Sequence, residues 1–167
     1  MNLKELNSLS KNLLQVELTK CCGSSTWVNK MIEKFPFPNA SGFYTKAKEI
    51  WDECLPKDWL EAFEHHPKIG DIGSLKKKFE NTSQWASSEQ AAVKEANQNT
   101  LQLLAQKNQE YEKKYGYIFI VCATGKTADE MLNLLLKRLK NNKKEELLIA
   151  KDEQNKITQL RLQKLLS

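Results

Sequence analysis

The sequence predicts an all-α fold, a single-domain irregular helical bundle, on three observations. Apolar residues recur at helical spacing through most of the 167 residues. Capping residues, prolines and glycines punctuate those stretches where helices would begin and end. Only one run, from Tyr117 to Cys122, is continuously apolar and rich enough in β-branched residues to be extended, and one such run does not make a sheet.

Leu3, Leu6, Leu9, Leu13, Leu14, Val16 and Leu18 predict a short opening helix and a longer one from about Ser10. Gly23 stands where a left-handed cap would close it. Ser24 or Ser25 then caps a helix whose apolar face is Trp27, Val28, Met31, Ile32 and Phe35. Pro36 and Pro38 stop that helix, and residues 36–42 read as a loop. A further amphipathic segment runs from Phe43 to Leu55. Pro56 opens the next, in which Trp59, Leu60 and Phe63 point inward and Pro67 ends the helix. Gly70 and Gly73 mark a turn. The longest helix is expected from about Ser87 to Tyr115, ended by Gly116. Thr127 caps a restart after the extended run. A last helix places Leu147, Leu148, Ile157, Leu160 and Leu165 on its inner side.

Composition excludes several classes. The hydrophobic fraction of 40% and charged fraction of 28% suit a soluble globular chain. No apolar run is long enough for a membrane span, and the N-terminus does not read as a secretory signal, so a cytoplasmic location and no membrane partner are expected. The net charge of +5 comes from lysines interleaved with glutamates. The arginines are just Arg138 and Arg161, and no basic stripe with aromatics stands out, so no nucleic-acid partner is expected. Cys21, Cys22, Cys54 and Cys122 match no CxxC or zinc spacing and read as small buried hydrophobes in a reducing compartment. No metal site is expected. Gly125-Lys126-Thr127 lacks the earlier glycine that a phosphate loop requires.

The two histidines, His65 and His66, are adjacent and directly precede Pro67. Imidazoles titrate near neutrality, so they are the chain's natural acid–base candidates, although a histidine at a helix end also serves as a cap. Neighbours on a helix point about 100° apart, so one of the two faces a given pocket. Proline restricts the backbone of the residue before it, which favours His66 as the ring with a fixed direction. Glu89 lies in the first turn of the long helix, where a carboxylate is stabilised by the helix dipole and could orient an imidazole; Gln90 beside it is a second polar candidate. Arg161 offers a planar fork suited to a carboxylate or carbonyl. The run ending at Cys122 could present backbone N–H and C=O groups.

The pieces CCGSSTWVNKM, WLEAFEHHPKIGD, SSEQAA, YGYIFIVCATGKTADEML and KITQLRLQKLL together resemble, in order and over nearly the whole chain, the 2-oxo-4-hydroxy-4-carboxy-5-ureidoimidazoline (OHCU) decarboxylases of urate breakdown. The His-Pro-Lys-Ile-Gly block from His66 is the most specific part. The resemblance implies one OHCU decarboxylase-like domain over 1–167: a cofactor-independent carboxy-lyase of purine metabolism that forms (S)-allantoin from the small molecule OHCU. It implies His66 as the catalytic histidine, Glu89 as the active-site glutamate and Arg161 as the substrate-holding arginine, with Pro67 and the backbone near Val121 lining the pocket. Family members are often homodimers. The family often carries a serine three residues before the glutamate; here that place is Ala86, with Ser87 and Ser88 following, so either a neighbouring serine, Ser87, substitutes or that contact is missing. Two alternatives stand beside this reading. One is a non-enzymatic helical interaction module that binds an acidic partner. The other is an enzyme of the same fold acting on another ureido acid.

Overall fold

The computed structural model describes residues 1–67 and 87–167, with side chains from 98 onward in the second stretch. The described residues form eight α-helices and no β-strand. They are α1 (Leu3–Asn7), α2 (Lys11–Cys21), α3 (Ser25–Ile32), α4 (Ala40–Glu53), α5 (Pro56–Glu64), α6 (Ser87–Tyr115), α7 (Ala128–Arg138) and α8 (Lys143–Leu165). None of the described helices is long and apolar enough to cross a membrane. The chain divides into two compact units. The first gathers Met1–His66, Ile120–Cys122 and Ile149–Ser167; the second comprises Pro67–Phe119 and Ala123–Leu148.

In the first unit, caps set the helix starts as expected. Ser10 accepts the Leu13 N–H at the start of α2, and Ser24 accepts the Trp27 N–H at the start of α3. Each cap satisfies one of the N–H groups that a helix start leaves without a partner. Trp27, Met31, Phe43, Trp51 and Phe63 form the core and are at most 1% exposed. Burial of each such side chain contributes about 1.5–3 kcal/mol. The indoles keep their N–H groups satisfied: Trp27 donates to the Ala47 carbonyl at 2.9 Å and Trp51 to the Lys151 carbonyl at 3.0 Å. All four cysteines are buried, and none forms a disulfide. Burial pushes the Cys21 and Cys54 thiols up to about 11 and Cys22 to about 12, so they remain protonated at neutral pH.

In the second unit α6 packs against α7, and the two helices bury Leu101, Leu104 and Ala105 on the one and Met131 and Leu135 on the other. Gly116, at φ +85°, ends α6 as expected. Thr127 and Glu130 form the reciprocal capping box of α7. A charged cluster is buried at the end of α7. Arg138 Nε donates to Glu146 Oε1 at 2.7 Å, the Tyr111 hydroxyl donates to the same oxygen at 2.5 Å, and Asn141 donates to Oε2 at 3.0 Å. Glu146 is wholly buried, and its carboxylate is held by these donors.

Several local expectations are corrected. Gly23 is not a left-handed cap, since Gly116 and Gly125 are the described glycines with positive φ. Cys22 ends α2 in an extended conformation, and Gly23 is needed for space: a Cβ there would lie 2.3 Å from His65 Cγ. Helix α4 begins at Ala40 rather than Phe43, because Asn39 Oδ1 accepts the Gly42 N–H at 2.8 Å and draws residues 40–42 into the first turn. Leu60 is exposed; the buried positions of α5 are Asp58, Trp59, Ala62 and Phe63. Asp58 is buried because its carboxylate accepts from the Leu55 N–H and the Thr26 hydroxyl. On α8 the buried residues are Glu146, Ala150, Gln154, Thr158 and Leu162, one every four positions, whereas Leu148 is exposed and Leu147, Ile157, Leu160 and Leu165 are only partly covered. Hydrogen bonding, rather than hydropathy, decides the inner face of this helix.

Candidate active site

The site is built from the ends of helices in the first unit. Helix α5 closes at His65, whose backbone is still helical, with φ −76° and ψ −6°. The His66 N–H bonds back to the Phe63 carbonyl at 3.2 Å. This turn separates the two rings. His65 is exposed, and its side chain lies over the backbone of Gly23. His66 is partly buried, and its Nε2 lies 2.5 Å from Gln154 Oε1 of α8. Burial lowers the proton affinity of His66; Gln154 opposes that shift, while the positive charge of Arg161 and the His65 ring reinforce it. The ring is therefore biased toward its neutral, proton-accepting form.

Arg161 stands two turns further along α8 from Gln154. Its Nη1 donates to the Lys20 and Cys21 carbonyls at 3.4 Å, at the C-terminal end of α2. A guanidinium at a helix C-terminus meets the negative end of the helix dipole and carbonyls lacking helical partners. Arg161 also lines an open groove of about 870 Å³ with Asn12, Gln15, Val16, Thr19, Lys20, Gly23 and His65. The groove thus carries His65 on its wall, while His66 is the ring fixed by a buried partner. A fixed ring is better suited to directed proton transfer than a solvent-facing one.

The first unit therefore brings His66 and Arg161 within electrostatic reach of each other. Val121 belongs to the same unit; it is partly exposed between buried Ile120 and Cys122, and the Cys122 N–H is taken by Glu153 at 2.9 Å. Pro67 follows His66 and is exposed. Ser87, Glu89 and Gln90 fall in the first turn of α6, and their side chains lie outside the described residues, as do Ala86, Gly70 and Gly73 altogether. Gln154 escaped the sequence reading. Its signal was the four-residue spacing of Glu146, Ala150, Gln154, Thr158 and Leu162, which a search for apolar periodicity passes over.

Comparison with known proteins adds an independent line. The family model described as OHCU decarboxylase matches residues 7–163. The chain is 41% identical over 148 residues to the uric acid degradation bifunctional protein TTL of Arabidopsis thaliana, covering 88% of this chain and 45% of that protein. It is 29% identical over 166 residues to the uric acid degradation bifunctional protein of Bacillus sp. (strain TB-90), covering 99% of this chain and 32% of that protein. The chain thus spans less than half the length of these curated relatives. Among solved structures, a crystal structure of OHCU decarboxylase in the presence of (S)-allantoin superimposes with a TM-score of 0.72 at 39% identity, covering 90% of this chain and 96% of that one. An (S)-allantoin synthase structure, at 16% identity and a TM-score of 0.71, covers 98% of this chain and 54% of that one and shares the fold.

Proposed function

The chain belongs to the OHCU decarboxylase family, and from that premise we propose that it converts OHCU to (S)-allantoin and CO2, with His66 as the acid–base, Glu89 orienting it and Arg161 holding the substrate. The observation that carries the proposal is the His66 imidazole, hydrogen-bonded through Nε2 to Gln154 and biased toward its neutral form first by burial and further by the charge of Arg161.

The substrate carries a carboxylate and a hydroxyl on one ring carbon, next to a ring C=N bond. When the carbon–carboxylate bond breaks, CO2 leaves and the electron pair moves onto that carbon. The adjacent imine nitrogen takes up the pair together with a proton from solvent and gives an enediamine. The hydroxyl then loses its proton as the carbon becomes a carbonyl, and the neighbouring carbon gains one. The substrate thus contains its own electron sink, and the residues must supply orientation and proton management. His66 exchanges the hydroxyl proton. Arg161 binds carbonyl groups of the ureido arm or ring, because a tight grip on the departing carboxylate would stabilise the ground state. Glu89 orients the imidazole or accepts substrate N–H bonds. The family resemblance assigns further substrate contacts to Pro67, Ser87, Gln90 and the backbone at Val121. The working form is a homodimer in the cytoplasm.

The test generates the short-lived substrate in situ from urate with the upstream enzymes and follows optically active allantoin by circular dichroism. The chain is expected to accelerate its appearance, and His66→Asn to lower turnover by about 10²–10⁴-fold. No acceleration by the intact chain would overturn the activity; full turnover by His66→Asn would overturn the residue assignment. Sedimentation of the purified chain at micromolar concentration tests the dimer.

A further inference from the structure

We propose that Gln154 is the positioning residue of the acid–base imidazole, and that it makes Nδ1 of His66 the nitrogen that exchanges the proton with substrate. This rests on the reading of His66 given above and deepens it to a single atom.

Gln154 is wholly buried in the middle of α8, and its amide lies between two other side chains. Its Oε1 faces His66 Nε2 at 2.5 Å, and its Nε2 donates to Thr158 Oγ1 at 3.1 Å. Thr158 is 2% exposed, one turn further along the helix. Thr158 Oγ1 thus accepts from the amide NH2. The amide orientation follows: its NH2 faces Thr158 and its carbonyl faces His66.

A carbonyl only accepts, so the nitrogen opposite it must carry the hydrogen. A neutral imidazole has one N–H, and here it is Nε2–H. The lone pair is then on Nδ1, and Nδ1 takes the proton; both ring nitrogens are thereby engaged, so of the two roles given to Glu89 above, accepting substrate N–H bonds is the one that remains. The choice of an amide is chemically apt. A carboxylate in its place would hold the ring as imidazolium, whereas a neutral carbonyl fixes the tautomer and stabilises the cation less. Thr158, Gln154 and His66 thus form one hydrogen-bonded chain in which the amide carbonyl fixes the position of the ring proton.

The test uses the full chain labelled with 15N in histidine. With two histidines, His65→Gln assigns the spectrum. Long-range 1H–15N correlations, recorded above the ring's titration, are expected to show His66 with a protonated Nε2 and a bare Nδ1. In Gln154→Leu the two tautomers should mix. Turnover in that variant should fall about 10–100-fold, with KM changed less than about twofold. In Gln154→Glu the Nε2–H tautomer should persist, and the acidic limb of kcat should move to higher pH. Circular dichroism checks that each variant is folded; should Gln154→Leu fail to fold, the wild-type spectrum and Gln154→Glu still decide.

A protonated Nδ1 in the wild-type ring overturns the proposal. So does a folded Gln154→Leu with unchanged kcat and pH profile, which refutes the positioning role while leaving His66 as the acid–base. Wild-type turnover in His66→Asn overturns the reading beneath the proposal, and the proposal with it.

Discussion

The His65 side chain occupies the space in which a Gly23 side chain would stand: an added Cβ would lie 2.3 Å from His65 Cγ and 2.4 Å from its Cβ. The second distance matters more, because a Cβ is tied to the backbone and cannot swing away. Any side chain at position 23 must therefore displace the end of α5, where His66 sits. Gly23→Ala is expected to destabilise the chain by about 1–3 kcal/mol, as overpacking does, and to lower turnover in step. Urea unfolding and the allantoin assay check this. Removing the obstructing side chain in Gly23→Ala/His65→Gly should recover most of both losses, whereas His65→Gly alone should leave turnover close to wild type.

His66 also ties activity and stability to pH. Burial, with Arg161 and His65 nearby, holds its pKa below the ordinary histidine value. The acidic limb of kcat/KM should therefore lie below about 6.5, the unperturbed value. The stability effect has a definite sign. Below about 6.5 the unfolded chain takes up a proton that the folded ring resists, so folding loses stability as pH falls from there through the folded pKa. Urea midpoints at pH 7 and pH 5 should drop more for wild type than for His66→Asn. An equal drop in both would place the acid sensitivity elsewhere.

Arg161 reaches the Lys20 and Cys21 carbonyls through one nitrogen while lining the groove. Lysine keeps the charge but loses the planar fork. Arg161→Lys is expected to raise KM by about 10–100-fold, the range set by the 1.5–3 kcal/mol of a charge-assisted hydrogen bond, with a smaller effect on kcat. A kcat loss with unchanged KM would instead assign the guanidinium to the transition state alone.

The pair Arg138 and Glu146 is a structural counterpart, buried in the second unit with Tyr111 and Asn141 around it. Truncating one partner strands a buried charge. Glu146→Ala should cost about 3–5 kcal/mol in urea unfolding. Replacing both with apolar residues of similar size, Arg138→Met with Glu146→Leu, should recover most of that, and no recovery would mean that Tyr111 and Asn141 depend on the carboxylate for their own placement.

Helix existence and most caps were legible because they depend on local chemistry. Ser10, Ser24, Thr127 and Gly116 all act within one turn of themselves. That His65 and His66 would face different surroundings was also legible, through helix geometry and Pro67, although the partner that anchors His66 was not. That partner sits 88 positions away, a separation that no local pattern encodes. Gly23 was misread for the same reason: its constraint is a side chain arriving from α5, not its own φ. Asn39 was read as loop because two prolines precede it, yet a cap beside a proline is an ordinary way to restart a helix. The inner face of α8 was misassigned because its leucines are conspicuous while its buried glutamine, threonine and glutamate look like surface.

That inverted helix has a consequence for how the chain tolerates change. Along α8, lysine or serine at Leu148 should be silent, while an apolar residue at Gln154, which looks conservative by hydropathy, removes a partner for both an imidazole and a hydroxyl. Random mutagenesis across this segment should therefore yield survivors that grow more polar where the leucines stand and unchanged where the small polar residues stand. Ranking such variants by hydrophobicity would put the damaging ones first among the safe.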